Sequence, residues 1–85
     1  MPRIVVYCTS ACPYCTRAIK LLNGKGVEYE TVRVDLEPER RTEMEALSGR
    51  TSVPQIFIDD FHVGGFDDLS ELDLDDKLDP LLGLS

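Results

Sequence analysis

The spacing of apolar residues changes period several times along the chain, and each change marks an element. Ile4-Val5-Val6-Tyr7 is a continuous β-rich run, the pattern of a central strand buried on both faces. Cys8 to Pro13 reads as a loop. From Tyr14 to about Asn23, the residues Ala18, Leu21 and Leu22 fall on one side of a helix, and Gly24 and Gly26 stop it. Thr31-Val32-Arg33-Val34-Asp35 then alternates polar and apolar, which predicts a half-buried strand at a sheet edge. A strand–helix–strand unit of this size is a right-handed crossover with parallel strands.

The second half continues the alternation. Glu37-Pro38-Glu39 sets proline and acids at the start of a second helix, which runs to about Ser48 and stops at Gly49. Gln55-Ile56-Phe57-Ile58 and Phe61-His62-Val63, joined only by Asp59-Asp60, predict an antiparallel hairpin. After the Gly64-Gly65 turn, a third helix is expected from Phe66 to about Lys77, with Leu69 and Leu72 inward and Leu78, Leu81 and Leu82 covering the end of the core. The order β-α-β-α-β-β-α predicts an α/β fold: one mixed four-stranded sheet with three helices on its faces.

At 85 residues this is one domain, residues 1–85, near the lower size limit for a core without a metal or covalent staple. The 42% hydrophobic content excludes a disordered acidic tail. No apolar run approaches the ~20 residues of a membrane span, and Ile4–Tyr7 is too short for a signal-peptide core, so a cytoplasmic protein is expected. The net charge of −7 argues against nucleic acid as a partner. That charge is uneven: residues 1–52 carry eight basic and seven acidic side chains, whereas residues 53–85 carry nine acids and Lys77 alone. A solvated acidic face explains the second set.

The three cysteines change the picture most. Cys8, Cys12 and Cys15 are clustered, so any disulfide among them closes a tiny loop and constrains the unfolded chain little. The cluster therefore points to chemistry or metal binding rather than stapling. Cys12-Pro13-Tyr14-Cys15 lies where a strand gives way to a helix. Unpaired N–H groups and the helix dipole favour a thiolate there. Cys12, just before the helix, is the candidate nucleophile, and Cys15, one turn in, the candidate resolving thiol. Pro13 has no N–H to leave unpaired and fixes the helix start. The competing reading is a pair of small buried apolar residues.

Cys12-Pro13-Tyr14-Cys15, Thr51-Ser52-Val53-Pro54 and Gly64-Gly65-Phe66-Asp67-Asp68 resemble, in order and spacing, the three signature segments of dithiol glutaredoxins. Ser48-Gly49-Arg50-Thr51 and Pro54-Gln55-Ile56-Phe57-Ile58-Asp59 bring the likeness nearest to the small bacterial members, over essentially the whole chain. The resemblance implies a thioredoxin-like fold and a glutathione-dependent thiol–disulfide oxidoreductase. Glutathione would be co-substrate, with no tightly bound cofactor and no metal. The other partners would be disulfide-containing or glutathionylated proteins, met by a monomer. It implies a cis bond before Pro54, with the Val53 backbone offered to glutathione as a strand-like edge. The implied glutathione contacts are Tyr14, Arg41, Ser52, Val53, Pro54, Gly65, Phe66, Asp67 and Asp68.

The residues themselves leave plainer roles open. Val53-Pro54 fits an ordinary trans proline at a strand start. Asp67 and Asp68 fit helix capping, and Arg41 fits pairing with Glu37 or Glu45. Tyr7 suits core packing, and His62 a packed or solvated strand position. Two positions depart from the family pattern. Thr9 stands where many members carry Lys, which removes one favourable charge near Cys12. Cys8 reads either as a small semi-buried residue or as a third redox thiol. Cys8-x3-Cys12-x2-Cys15 also resembles the cluster triad of radical-SAM enzymes, but 85 residues cannot build the barrel those need. The non-enzyme alternative is a zinc or iron–sulfur site from the three cysteines with His62.

Overall fold

A computed structural model describes residues 2–84. The elements are β1 (Ile4–Cys8), α1 (Pro13–Gly24), β2 (Glu30–Arg33), α2 (Pro38–Ser48), β3 (Gln55–Ile58), β4 (Phe61–Gly64), α3 (Phe66–Leu74) and α4 (Leu78–Leu81). They build a four-stranded mixed sheet of order β2-β1-β3-β4. The β1 and β2 strands are parallel, and both β1–β3 and β3–β4 are antiparallel. This is the expected α/β architecture.

The apolar pattern of β1 explains the layering. All five of its residues are buried, and successive side chains point to opposite faces. Ile4, Val6 and Cys8 join one core with Cys15, Ala18 and Leu22 of α1, Ile56 and Ile58 of β3, and Leu69 of α3. Val5 and Tyr7 join a second core with Val32, Val34, Phe57 and Met44 of α2. The sheet is thus covered on both faces, with α1 and α3 on one side and α2 on the other. Tyr7 is a core residue here: its ring meets Phe57 edge-on at 5.7 Å, and its hydroxyl donates to Glu43 Oε2 at 2.7 Å.

Two boundaries differ from the expectation by more than one residue. The second strand lies at an edge as predicted but ends at Arg33, not Asp35. The Val34 N–H still donates to the Cys8 carbonyl. The N–H groups of Leu36 and Glu37 then both turn back to the Arg33 carbonyl, which starts a turn. The third helix ends at Leu74 rather than Lys77, and a fourth short helix follows. Asp76 takes a left-handed φ of 58°, and the Lys77 N–H closes back onto the Leu72 carbonyl at 2.9 Å. That reversal is a helix-ending motif, and the apolar spacing through Leu72 and Leu78 masks it. Beyond it Leu78 and Leu82 are buried, so the expected cover for the core is present.

Candidate active site

Cys12 is the N-cap of α1. Its backbone is extended, and its sulfur accepts the Cys15 N–H at 3.4 Å. Pro13 occupies the first helical position, where a missing donor costs nothing. On its other side the Cys12 thiol lies 3.8 Å from the Val53 carbonyl, to which it donates. Cys12 is partly exposed, whereas Cys15 is only 2% exposed. Burial pushes the Cys15 thiol up to about 12. Burial also raises Cys8, which is 3% exposed, while the nearby Arg33 guanidinium acts the other way. The two cysteines of the motif therefore differ in access and in the cost of ionising the inner one.

Tyr14 stands exposed at the first turn of α1, with the Arg17 guanidinium 5.3 Å from its ring centroid. Arg33 and Asp35 form a tight ion pair whose carboxylate also accepts the Ser10 N–H at 3.4 Å. The loop before Cys12 is thereby tied to the end of β2. The Arg33 guanidinium holds the Asp35 carboxyl well below the usual carboxylate range.

The second wall is the segment between α2 and β3. The Val53–Pro54 bond is cis, as expected, and Val53 packs beside both cores. Arg41 donates to the Thr51 carbonyl at 2.9 Å and pairs with Glu45 at 3.3 Å. The plainer pairing thus holds together with a contact to the loop. Glu37 instead lends its carbonyl to the first turn of α2. Ser52 is exposed, but its carbonyl accepts from the Gln55 side chain at 3.0 Å.

The third wall is the turn into α3. Asp68 accepts the Gly65 N–H at 3.0 Å and pairs with Arg50 at 3.1 Å, so the capping role falls to Asp68. The backbone hydrogen bond to Gly65, followed by the Arg50 side chain, lowers its carboxyl. Asp67 is exposed, and Phe66 is partly buried against the core. Gly64 has a φ of 114°, and a methyl group there would strike the Asp68 carboxylate. Glycine is needed on both counts.

His62 does not join the cysteines. It stacks on Phe57 with ring centroids 4.8 Å apart, on the α2 face, while Cys8 and Cys15 lie in the opposite core. Among the described residues no three of His, Cys, Asp or Glu are grouped to hold a metal ion. A groove of about 360 Å³, lined in part by Arg3, Tyr7, Arg40, Glu43 and His62, also lies on the α2 face. Cys12 is not among its lining residues.

The glutaredoxin family model matches residues 4–63. The chain belongs to the glutaredoxin family. It is 50% identical over 82 residues to a glutaredoxin of Pseudomonas aeruginosa, covering 96% of this chain and 98% of that protein. It is likewise 50% identical over 82 residues to glutaredoxin 3 of Escherichia coli strain K12, covering 96% and 99%. Its fold matches a buckwheat glutaredoxin solved as a glutathione complex, with a TM-score of 0.89 and 33% identity over 96% of this chain and 77% of the other. Like other glutaredoxins, the protein has a thioredoxin-like fold and is a glutathione-dependent thiol–disulfide oxidoreductase. No helix among the described residues is long and apolar enough to cross a membrane.

Two residues at the glutaredoxin site went unassigned in the sequence. Gln55 is fully buried, and Arg50 ties the loop to α3. The one signal for Gln55 is a polar residue heading an otherwise apolar strand. Arg50 falls in the Ser48–Thr51 segment of the family likeness, but its pairing with Asp68 had no signal, because that partner lies across a stretch of chain that only the fold closes.

Proposed function

We propose that Cys12 is the nucleophile of this glutaredoxin and Cys15 its resolving thiol. The observation that supports this most is the contrast within the motif. Cys12 is accessible at a helix start, while Cys15 is buried with its thiol pushed up to about 12 and so keeps its proton at neutral pH. In the glutathione route, the Cys12 thiolate attacks the glutathione sulfur of a mixed disulfide. That S–S bond breaks, the substrate thiolate leaves and takes a proton, and glutathione is held on Cys12. A second glutathione thiolate attacks the same glutathione sulfur, which frees Cys12 and releases oxidised glutathione. In the dithiol route, Cys12 attacks a protein disulfide. Cys15 then gives up its proton, attacks the Cys12 sulfur and releases the reduced substrate. The resulting Cys12–Cys15 disulfide is reduced by two glutathiones.

Glutathione, in this reading, lies as a short strand along Val53 and Pro54, with Ser52 and Tyr14 beside it. Arg41 faces its glycyl carboxylate and Asp67 its γ-glutamyl ammonium, while Gly65, Phe66 and Asp68 shape the turn that receives the γ-glutamyl end. The protein partners carry disulfides or glutathione adducts, and the enzyme acts as a single-domain cytoplasmic monomer. The test is Cys15→Ser assayed on both substrate types. Deglutathionylation should stay within about twofold of wild type, while reduction of a protein disulfide falls at least about a hundredfold. Equal loss of both activities would refute the assignment of separate roles.

A further inference from the structure

Gln55 is the one buried polar side chain among the described residues, at 0% exposure, and burying an amide is costly unless both of its ends are bonded. Both ends are bonded. Its Nε2 donates to the Ser52 carbonyl at 3.0 Å, with Ser52 Oγ at 3.4 Å, and its Oε1 lies 2.7 Å from His62 Nε2. The chemistry of the partners fixes the orientation. A carbonyl can only accept, so Nε2 must face Ser52 and Oε1 must face His62. An amide oxygen can also only accept, so His62 Nε2 must carry a proton. The ring is held in place by its stack on Phe57. Burial lowers the tendency of His62 to protonate, with Arg50 adding to this and Asp68 opposing it. The neutral ring is therefore the Nε2–H tautomer.

We infer that Gln55 and His62 are positioning residues for the glutathione-binding edge: His62 Nε2–H orients the Gln55 amide, and that amide pins the Ser52 carbonyl immediately before Val53. The inference rests on the proposed pairing of Val53 with glutathione. Gln55 is sealed in the core and His62 stacks on Phe57, so the role assigned to the pair is support of the loop rather than contact with substrate. Arg41 on Thr51 and Arg50 on Asp68 tie the same loop from outside, but through exposed side chains. The buried amide supplies the rigid support, because it has no water to exchange with.

The experiment has three arms. His62 is the single histidine, so its ring nitrogens can be read directly by 15N–1H correlation on the intact protein. A proton on Nε2 at neutral pH is expected, and a proton on Nδ1 would overturn the relay. The Val53 amide resonance is followed when Cys12 is glutathionylated in the Cys15→Ser protein. Its failure to shift would sink the binding-edge reading itself, and the relay with it. Last, His62→Phe, which keeps the stack, and Gln55→Leu should each raise KM for a glutathionylated peptide about tenfold, the worth of about one hydrogen bond, with kcat within about twofold. His62→Gln, which keeps an N–H donor, should restore KM. Unchanged KM in the Phe and Leu variants, or a fall in kcat alone, would overturn the positioning role while leaving the Val53 reading intact.

Discussion

Two helices of this glutaredoxin begin in the same way and end up with opposite tasks. Both α1 and α3 follow a strand and start with backbone N–H groups that need acceptors. At α1 the acceptor is the Cys12 sulfur, a soft, weak partner at 3.4 Å, and the first turn has no acidic residue. At α3 the N-cap is Gly65, which has no side chain to offer; the Asp68 carboxylate instead reaches back to the Gly65 N–H at 3.0 Å, itself anchored by Arg50, with Asp67 beside it. A charged oxygen cap is the stronger choice for stability. The start of α1 lacks that strength, and in the function proposed above its capping atom is the one that reacts. The start of α3, with nothing to react, is locked and suits a rigid contact surface.

The comparison can be broken from either side. The largest effect is expected from Cys12→Ser, which replaces the sulfur cap by a good oxygen cap. Both reactions should fall at least about a thousandfold, while stability to urea holds or rises by up to ~1 kcal/mol. A substantial loss of stability would mean that the sulfur is part of the scaffold after all. Next is Gly64→Ala, which forces a side chain into a left-handed conformation and against Asp68. A cost of about 1–3 kcal/mol is expected in equilibrium unfolding, and an unaltered Tm would show the α3 turn to be pliant.

A third prediction uses pH. The folded protein holds the Cys15 proton up to about 12, whereas the unfolded chain releases it near 9.0. Between these values the unfolded state binds fewer protons, so stability should decline as pH rises through that window. Cys15→Ser, which cannot ionise there, should flatten the decline. An identical alkaline profile for both proteins would contradict the buried, protonated thiol. The smallest effect concerns Thr9. Thr9→Lys adds a cation near the α1 start and should speed alkylation of Cys12 at neutral pH about threefold, less in high salt. An unchanged rate and turnover would leave the helix start as the dominant influence.

Much of this was legible along the chain. The unbroken apolar run of β1, the alternation of β2, the proline at the start of α2 and the two-residue turn at Asp59-Asp60 each report local conformation, and local conformation follows local sequence. The C-x-x-C at a strand–helix junction and the Val53-Pro54 and Gly64–Asp68 segments marked the three walls of the site. The end of α3 was hidden because the apolar spacing carries on past Leu74, while the reversal depends on Asp76 adopting a left-handed backbone that aspartate tolerates. Arg41 was readable as a candidate, but its hold on the Thr51 carbonyl was not.

By itself the sequence determined which elements form, which family the motifs resemble and which sulfur lies at the start of a helix, since periodicity, turn chemistry and motif spacing are all short-range properties. Only the tertiary structure decided which groups share a site. The Cys12 thiol meets the Val53 carbonyl across 41 positions, and Arg50 meets Asp68 across 18. It also decided that Cys15 and Gln55 are sealed from water while Cys12 is not. Burial is set by everything packed around a residue, and that packing exists only once the strands have paired and both faces of the sheet are covered.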